Sequence, residues 1–221
     1  MLHISRLCKT DHSPAKRSVL RDITLDLAPG DFIAVLGEPA AGKSALLNLI
    51  AGLDLPDSGT VKLHDVTLTG LDDHARLRLR RRHMGFIFQS HLLLPHLTAL
   101  DNAALSLKLN GIAHREAQQR AYAALTAVGL ASAMHRFPSS LSAGESQRIA
   151  IARALAHQPQ LVLADEPTGS LDDETAKSVL SMLRKQIKLQ QSIGILVTRS
   201  VTAATSADRI YHLDRSELRP A

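Results

Sequence analysis

Eight residues constrain this chain more than any others: Gly37-Glu38-Pro39-Ala40-Ala41-Gly42-Lys43-Ser44. They follow a continuous apolar run, Phe32-Ile33-Ala34-Val35-Leu36, and lead into a stretch of helical character from Lys43 to Ala51. An apolar run bounded by glycines reads as a short strand buried on both faces. A strand that passes into a helix through G-x-x-x-x-G-K-[ST] builds a phosphate cradle. Its glycines let backbone N–H groups wrap an anion, and the helix N-terminus adds a favourable dipole. Lys43 is then expected to reach the β- and γ-phosphates of a nucleotide, and the Ser44 hydroxyl to ligate Mg²⁺. The loop is unusual at three places. Pro39 has no N–H to offer, Ala40 restricts the backbone where glycine would be freer, and Ala45 lacks a hydroxyl for the α-phosphate.

A second buried-strand candidate, Leu161-Val162-Leu163-Ala164, ends in Asp165-Glu166. Ligands of open α/β sheets bind at the carboxyl ends of strands. Asp165 is therefore a candidate Mg²⁺ ligand, through water, and Glu166 a candidate general base for an attacking water. A third strand candidate runs from Ile193 to Thr198, and an earlier one carries Leu20, Ile23, Leu25 and Leu27 with a small irregularity before the Pro29-Gly30 turn. Helical periodicity fits Arg115 to Val128, Ser142 to Ala156 and Asp173 to Leu189. Strands alternating with helices predict an α/β fold: a P-loop core with a mainly parallel sheet and an N-terminal antiparallel β region. Residues 90–140, approximately, show helical patterns without a convincing strand and are expected to form a helical subdomain inserted into a core of residues 1–89 and 141–221.

Composition narrows the function classes. The chain has 221 residues, 45% hydrophobic and 21% charged, as in an ordinary globular protein of one domain. Aromatic residues make up only 3%, which argues against binding nucleic acid by stacking bases. The formal net charge of +5 favours anionic partners, and the densest basic run is Arg76, Arg78, Arg80, Arg81, Arg82 and His83. A single cysteine, Cys8, precludes an internal disulfide and suits a cytoplasmic protein. No stretch reaches the roughly 18 apolar residues of a membrane span, and no signal pattern opens the sequence, so no transmembrane segment is expected.

Leu141-Ser142-Ala143-Gly144-Glu145-Ser146-Gln147-Arg148 opens a helix, with Ser142 placed to cap it and Glu145 three residues on. With the two motifs above, this segment resembles the signature of the ABC ATPase family. Gly85-Phe86-Ile87-Phe88-Gln89 looks like that family's Q-loop, and Gly169-Ser170-Leu171-Asp172, after Asp165-Glu166-Pro167-Thr168, like its D-loop. The likeness covers nearly the whole chain. Within the family, Gly52-Leu53-Asp54, Arg80 to Phe86, Leu94 to Asn102 and Ser142 to Glu145 look most like the lipoprotein-release and macrolide-efflux group.

The resemblance implies two copies sandwiching two ATP molecules head to tail. Ser142, Gly144 and Glu145 of one copy, with Asp172, would complete the site held by Lys43 of the other. Gln89 would sense Mg²⁺ and the γ-phosphate. It further implies an inner-membrane permease partner, and a location on the cytoplasmic face of that membrane. Beside the P-loop, three departures bear on activity. The signature has Ala143 for its first glycine and Ser146 for a usual glutamine. The family's switch histidine is replaced in Val197-Thr198-Arg199-Ser200: Arg199 can contact a γ-phosphate but stays protonated and cannot shuttle a proton. His212 lies nearby in sequence, but its strand-like Tyr-His-Leu context favours a core or edge position. Where the family stacks an aromatic on adenine, this chain has Thr10, Asp11 and His12. The expected function is an ATP-hydrolysing transporter subunit. A nucleotide-binding regulatory module of low turnover and a nucleic-acid-associated ABC protein are the alternatives.

Overall fold

A computed structural model describes residues 1–11 and 17–221. The chain begins with the strands β1 (Leu2–Thr10) and β2 (Ser18–Leu27), then β3 (Phe32–Leu36) and the helix α1 (Lys43–Ile50). Strands β4 (Ser58–Leu63) and β5 (Val66–Thr67) lead to α2 (Asp73–His83) and β6 (Met84–Phe88). Three helices follow: α3 (Ala99–Leu109), α4 (His114–Ala127) and α5 (Ala143–Leu155). The chain then alternates through β7 (Leu161–Asp165), α6 (Asp173–Gln190), β8 (Ile193–Thr198) and the short α7 (Val201–Ala204), and closes with the hairpin β9 (Arg209–Asp214) and β10 (Glu217–Pro220).

The main sheet has the order β10-β9-β3-β8-β7-β6, parallel except at β10. Its central strands are largely apolar up to their carboxyl ends because both faces are covered. Phe32, Ala34, Val162, Ala164 and Leu196 face a helical layer of α3, α4, α5 and α6. Ile33, Val35, Leu161, Leu163, Ile195 and Val197 face α1 and the second sheet. That sheet is antiparallel, in the order β2-β1-β4-β5. The irregularity expected near Leu20 to Leu27 is real. Between the pairs Ile4↔Leu25 and Leu7↔Ile23, β1 carries one extra residue; between Leu7↔Ile23 and Lys9↔Leu20, β2 carries one. Arg6 (φ 47°) and Asp22 (φ 50°) take the left-handed conformation of the bulged residues.

The helical layer is fastened to the sheet by backbone approach and by buried amides. Gly85 on β6 lies so close to α5 that a Cβ there would stand 2.4 Å from the Ala154 carbonyl oxygen. Fully buried Asn102 donates to the Leu94, Leu97 and Thr98 carbonyls and accepts from the Leu94 N–H, which ties the loop before α3 to the helix. The basic run lies on α2, where Arg76 and Arg80 serve local structure by donating to the Leu71 and Gly52 carbonyls at 2.9 and 2.7 Å. Among the described residues, no helix is long and apolar enough to cross a membrane.

Candidate nucleotide site

The register of the parallel strands assembles the site. Leu36 pairs with Thr198, Asp165 with Val197, and Phe88 with Asp165. The residues at or just past these strand ends are Gly37, Arg199, Glu166 and Gln89, and they therefore lie along one edge of the sheet. This edge is the carboxyl end, where α/β sheets bind ligands.

The loop from Gly37 to Gly42 turns back on the β3 end. Gly37 donates to the Thr198 carbonyl at 3.3 Å, and a Cβ on Gly37 would meet the Leu213 carbonyl oxygen at 2.7 Å. Gly42 caps α1 at φ 100°, a conformation that L side chains rarely adopt, and a Cβ there would sit 2.9 Å from the Val19 carbonyl oxygen. Ala40 adopts φ 63°, so it takes a left-handed conformation that glycine would adopt without strain. Lys43 is 8% exposed, and its ammonium donates to the carbonyls of Gly37 at 2.6 Å and Glu38 at 2.9 Å. Those contacts hold the ammonium against the loop, with its charge at the mouth of the cradle.

Ser44, one residue into α1, donates its hydroxyl to Asp165 Oδ2 at 2.8 Å. Two hard oxygen donors side by side, one of them anionic, suit a Mg²⁺ ion that keeps most of its other positions for water and phosphate oxygens. Glu166 follows at φ 46°, a strained conformation for a glutamate. Its N–H donates to the Val197 carbonyl at 3.0 Å, and its side chain is 16% exposed. One carboxylate oxygen accepts from the Thr198 hydroxyl at 3.1 Å, and the other lies 3.8 Å from Arg199 Nε. An open cavity of ≈ 400 Å³ is lined by Lys43, Ser44, Gln89, Asp165, Glu166 and Arg199 with loop residues Pro39, Ala40, Gly42 and Ala45. Gln89 also lies against Gly169, where a Cβ would be 2.9 Å from its amide nitrogen. Just past Gln89, the carbonyls of His91 and Leu92 accept from Arg153 of α5 at 2.7 and 2.6 Å, which joins this loop to the helical layer.

Ser142, Gly144, Glu145 and Asp172 do not line this cavity. They form a second surface where the N-termini of α5 and α6 meet. Ser142 and Glu145 make the expected capping box. Both Glu145 oxygens are engaged within the chain: one accepts from the Ser142 N–H at 2.8 Å, the other from Arg136 at 2.7 Å. The Ser142 backbone bond, then Arg136, holds this carboxyl below the usual carboxylate range. Asp172 caps α6 by accepting from the Thr175 N–H at 2.9 Å, and that bond likewise lowers its pKa. The two helix ends press together at Gly144, where a Cβ would meet the Thr175 methyl at 2.6 Å. Of the residues at the expected aromatic position, Thr10 bonds Asp57 through its N–H and its hydroxyl, Asp11 pairs with the Arg17 backbone, and His12 lies outside the described residues. His212 lies exposed on β9, paired with Leu36 and Arg219. Sequence reasoning missed Thr198 as a partner of Glu166. The signal was the threonine that ends an otherwise apolar strand.

A profile of the ABC transporter family matches residues 20–169, about two thirds of the chain and all of the segment from the P-loop through Gly169. The chain belongs to the ABC transporter family. Its cassette is 43% identical over 208 residues to the lipoprotein-releasing system ATP-binding protein LolD of Pseudomonas syringae pv. tomato, an alignment covering 94% of this chain and 92% of that protein. An uncharacterized ABC transporter ATP-binding protein of Mycobacterium tuberculosis is 43% identical over 206 residues, covering 93% and 83%. Among solved structures, the dimeric structure of MJ0796, a bacterial ABC transporter cassette, superposes with a TM-score of 0.88 at 33% identity, covering 99% of this chain and 96% of that one. A post-hydrolysis state of the MJ0796 cassette, bound to ADP and Pi, gives 0.89 at 32% identity, covering 100% and 98%. The cassette is thus an ATP-binding and ATP-hydrolysing subunit of a transporter.

Proposed function

We propose that two copies of this cassette close head to tail on two ATP molecules and drive an inner-membrane permease from its cytoplasmic face, in lipoprotein release or a related extraction. The likeness to the LolD proteins supports the substrate class, and the dimeric MJ0796 cassette supports the assembly. A two-fold dimer accounts for the separation of the two surfaces described above, because the α5–α6 surface of one copy meets the P-loop cavity of the other twice over. Neither half-site is complete alone.

In this reading Lys43 exchanges its loop carbonyls for the β- and γ-phosphates, while the backbone from Glu38 to Ala45 wraps the phosphate chain. Ser44, Asp165 and Gln89 hold Mg²⁺, which supplies neutralising charge on the phosphates. Glu166 takes the proton of the attacking water. Ser142 and Gly144 of the opposite copy close over the γ-phosphate, with Asp172 at the seam. Arg199 places its permanent charge beside the γ-phosphate, so that it stabilises charge and transfers no proton. Gln89 reports closure to the permease through the helical segment of approximately residues 90–140, and the Arg153 tie of the adjoining loop supports that route.

The observation that carries the reading is the convergence of Lys43, Ser44, Asp165 and Glu166 on one cavity. Phosphate release from Mg²⁺-ATP by the purified chain tests it. Glu166→Gln keeps the shape of the side chain and removes its basicity, so turnover is expected to fall about 10²-fold or more. Turnover within threefold of wild type would remove Glu166 from the chemistry.

A further inference from the structure

We propose that Thr198 is a positioning residue for Glu166 and that its hydroxyl sets the aim of the catalytic carboxylate. The proposal rests on the reading of Glu166 as the general base. Thr198 is the last residue of β8 and is 2% exposed, in a strand that is otherwise apolar apart from Gly194. A buried hydroxyl in such a place needs partners on both sides. It has two: the Ser200 N–H donates to Thr198 Oγ1 at 3.0 Å, and Oγ1 donates to Glu166 Oε2 at 3.1 Å. The direction is fixed by chemistry. A peptide N–H can only donate and a carboxylate can only accept, so the single hydroxyl proton points at Glu166.

The geometry divides the carboxylate into two unlike oxygens. Oε2 is anchored on β8, and Oε1 has Arg199 Nε 3.8 Å away. The Glu166 backbone is held by the same strand, through its N–H on the Val197 carbonyl at 3.0 Å. The base is thus fixed at both ends to β8. The Arg199 side chain is 58% exposed. Without the Thr198 anchor, the carboxylate can turn and offer both oxygens to the planar guanidinium fork, which favours two-point pairing. A base so paired is misaimed for water. An anchoring hydroxyl has added value in a chain with arginine here, because arginine is charged at every working pH.

Thr198→Val keeps the branched shape that suits a strand and removes the hydroxyl; Thr198→Ser keeps the hydroxyl. Thr198→Ala, a second variant without hydroxyl, is measured alongside in case valine does not fit. The expected result is a fall in kcat of about tenfold in both variants lacking the hydroxyl, with KM for ATP unchanged and with activity restored to within about threefold in Thr198→Ser. Combined with Glu166→Gln, neither change should lower the residual rate further, since the anchor then has no base to aim. Equal losses in the serine and valine variants, or wild-type kcat without the hydroxyl, would overturn the proposal while leaving Glu166 as the base. Wild-type turnover in Glu166→Gln alone would overturn the underlying reading and the proposal with it.

Discussion

Lys43→Ala is expected to lower ATP turnover at least about 10²-fold, the scale seen when a buried, preorganised donor is removed from a transition-state charge. The ammonium is nearly enclosed, and its present partners are the Gly37 and Glu38 carbonyls, which are loop groups with no further demand on a cation. When phosphates enter, their charge is expected to outcompete two neutral carbonyls and to draw the lysine onto the ligand. Alanine removes that charge without changing the backbone of α1. Lys43→Arg should fail almost as badly, because a rigid planar fork does not replace a compact ammonium in a loop this tight. Phosphate release and titration with a fluorescent nucleotide read the effect, and thermal unfolding checks that the fold persists. Turnover within threefold of wild type would show that the loop does not hold the phosphates.

A large effect on stability is expected at a residue with no chemistry. Gly85→Ala would place a methyl 2.4 Å from the Ala154 carbonyl oxygen and 3.1 Å from its carbon. Those are backbone atoms in the last turns of α5, so no side chain can swing aside. Either β6 or α5 must shift, at a cost of about 3 kcal/mol by the usual scale of overpacking. For a chain of this size that lowers the midpoint of thermal unfolding by roughly 10 °C. Calorimetry checks it, and a midpoint within about 2 °C of wild type would mean that the two elements are not in rigid contact. The same shift would displace Gln89, at the end of β6, so turnover should fall as well.

These two positions mark what a reader of the sequence could and could not see. The strands β3, β7 and β8 are legible because burial on both faces writes them as unbroken apolar runs. Their carboxyl ends carry Gly37, Glu166 and Arg199, so much of the site can be read from one edge of the sheet. The signature helix is legible through Ser142 and Glu145, whose capping box forms as spaced. The register of the antiparallel sheet is only partly legible: the irregularity at Asp22 shows in the spacing of Leu20 and Ile23, whereas Arg6 does not announce its left-handed backbone. The Gly85 contact is not legible, because it depends on α5 returning to β6 from across the fold. The Glu145 ion pair with Arg136 and the Thr198 bond to Glu166 are tertiary in the same sense. Spacing identifies residues that share a loop, and only packing shows which oxygens face each other.

The central claim is that hydrolysis belongs to a pair of cassettes closed on ATP. Its most direct test is the dependence of specific turnover on chain concentration, with the ATP-bound mass of Glu166→Gln followed by light scattering. The account predicts that phosphate release per chain rises with concentration toward a plateau. It also predicts that Glu166→Gln, unable to consume its nucleotide, accumulates as a dimer in Mg²⁺-ATP and returns to monomer when the nucleotide is removed. Specific turnover independent of concentration in a chain that stays monomeric with ATP would contradict it.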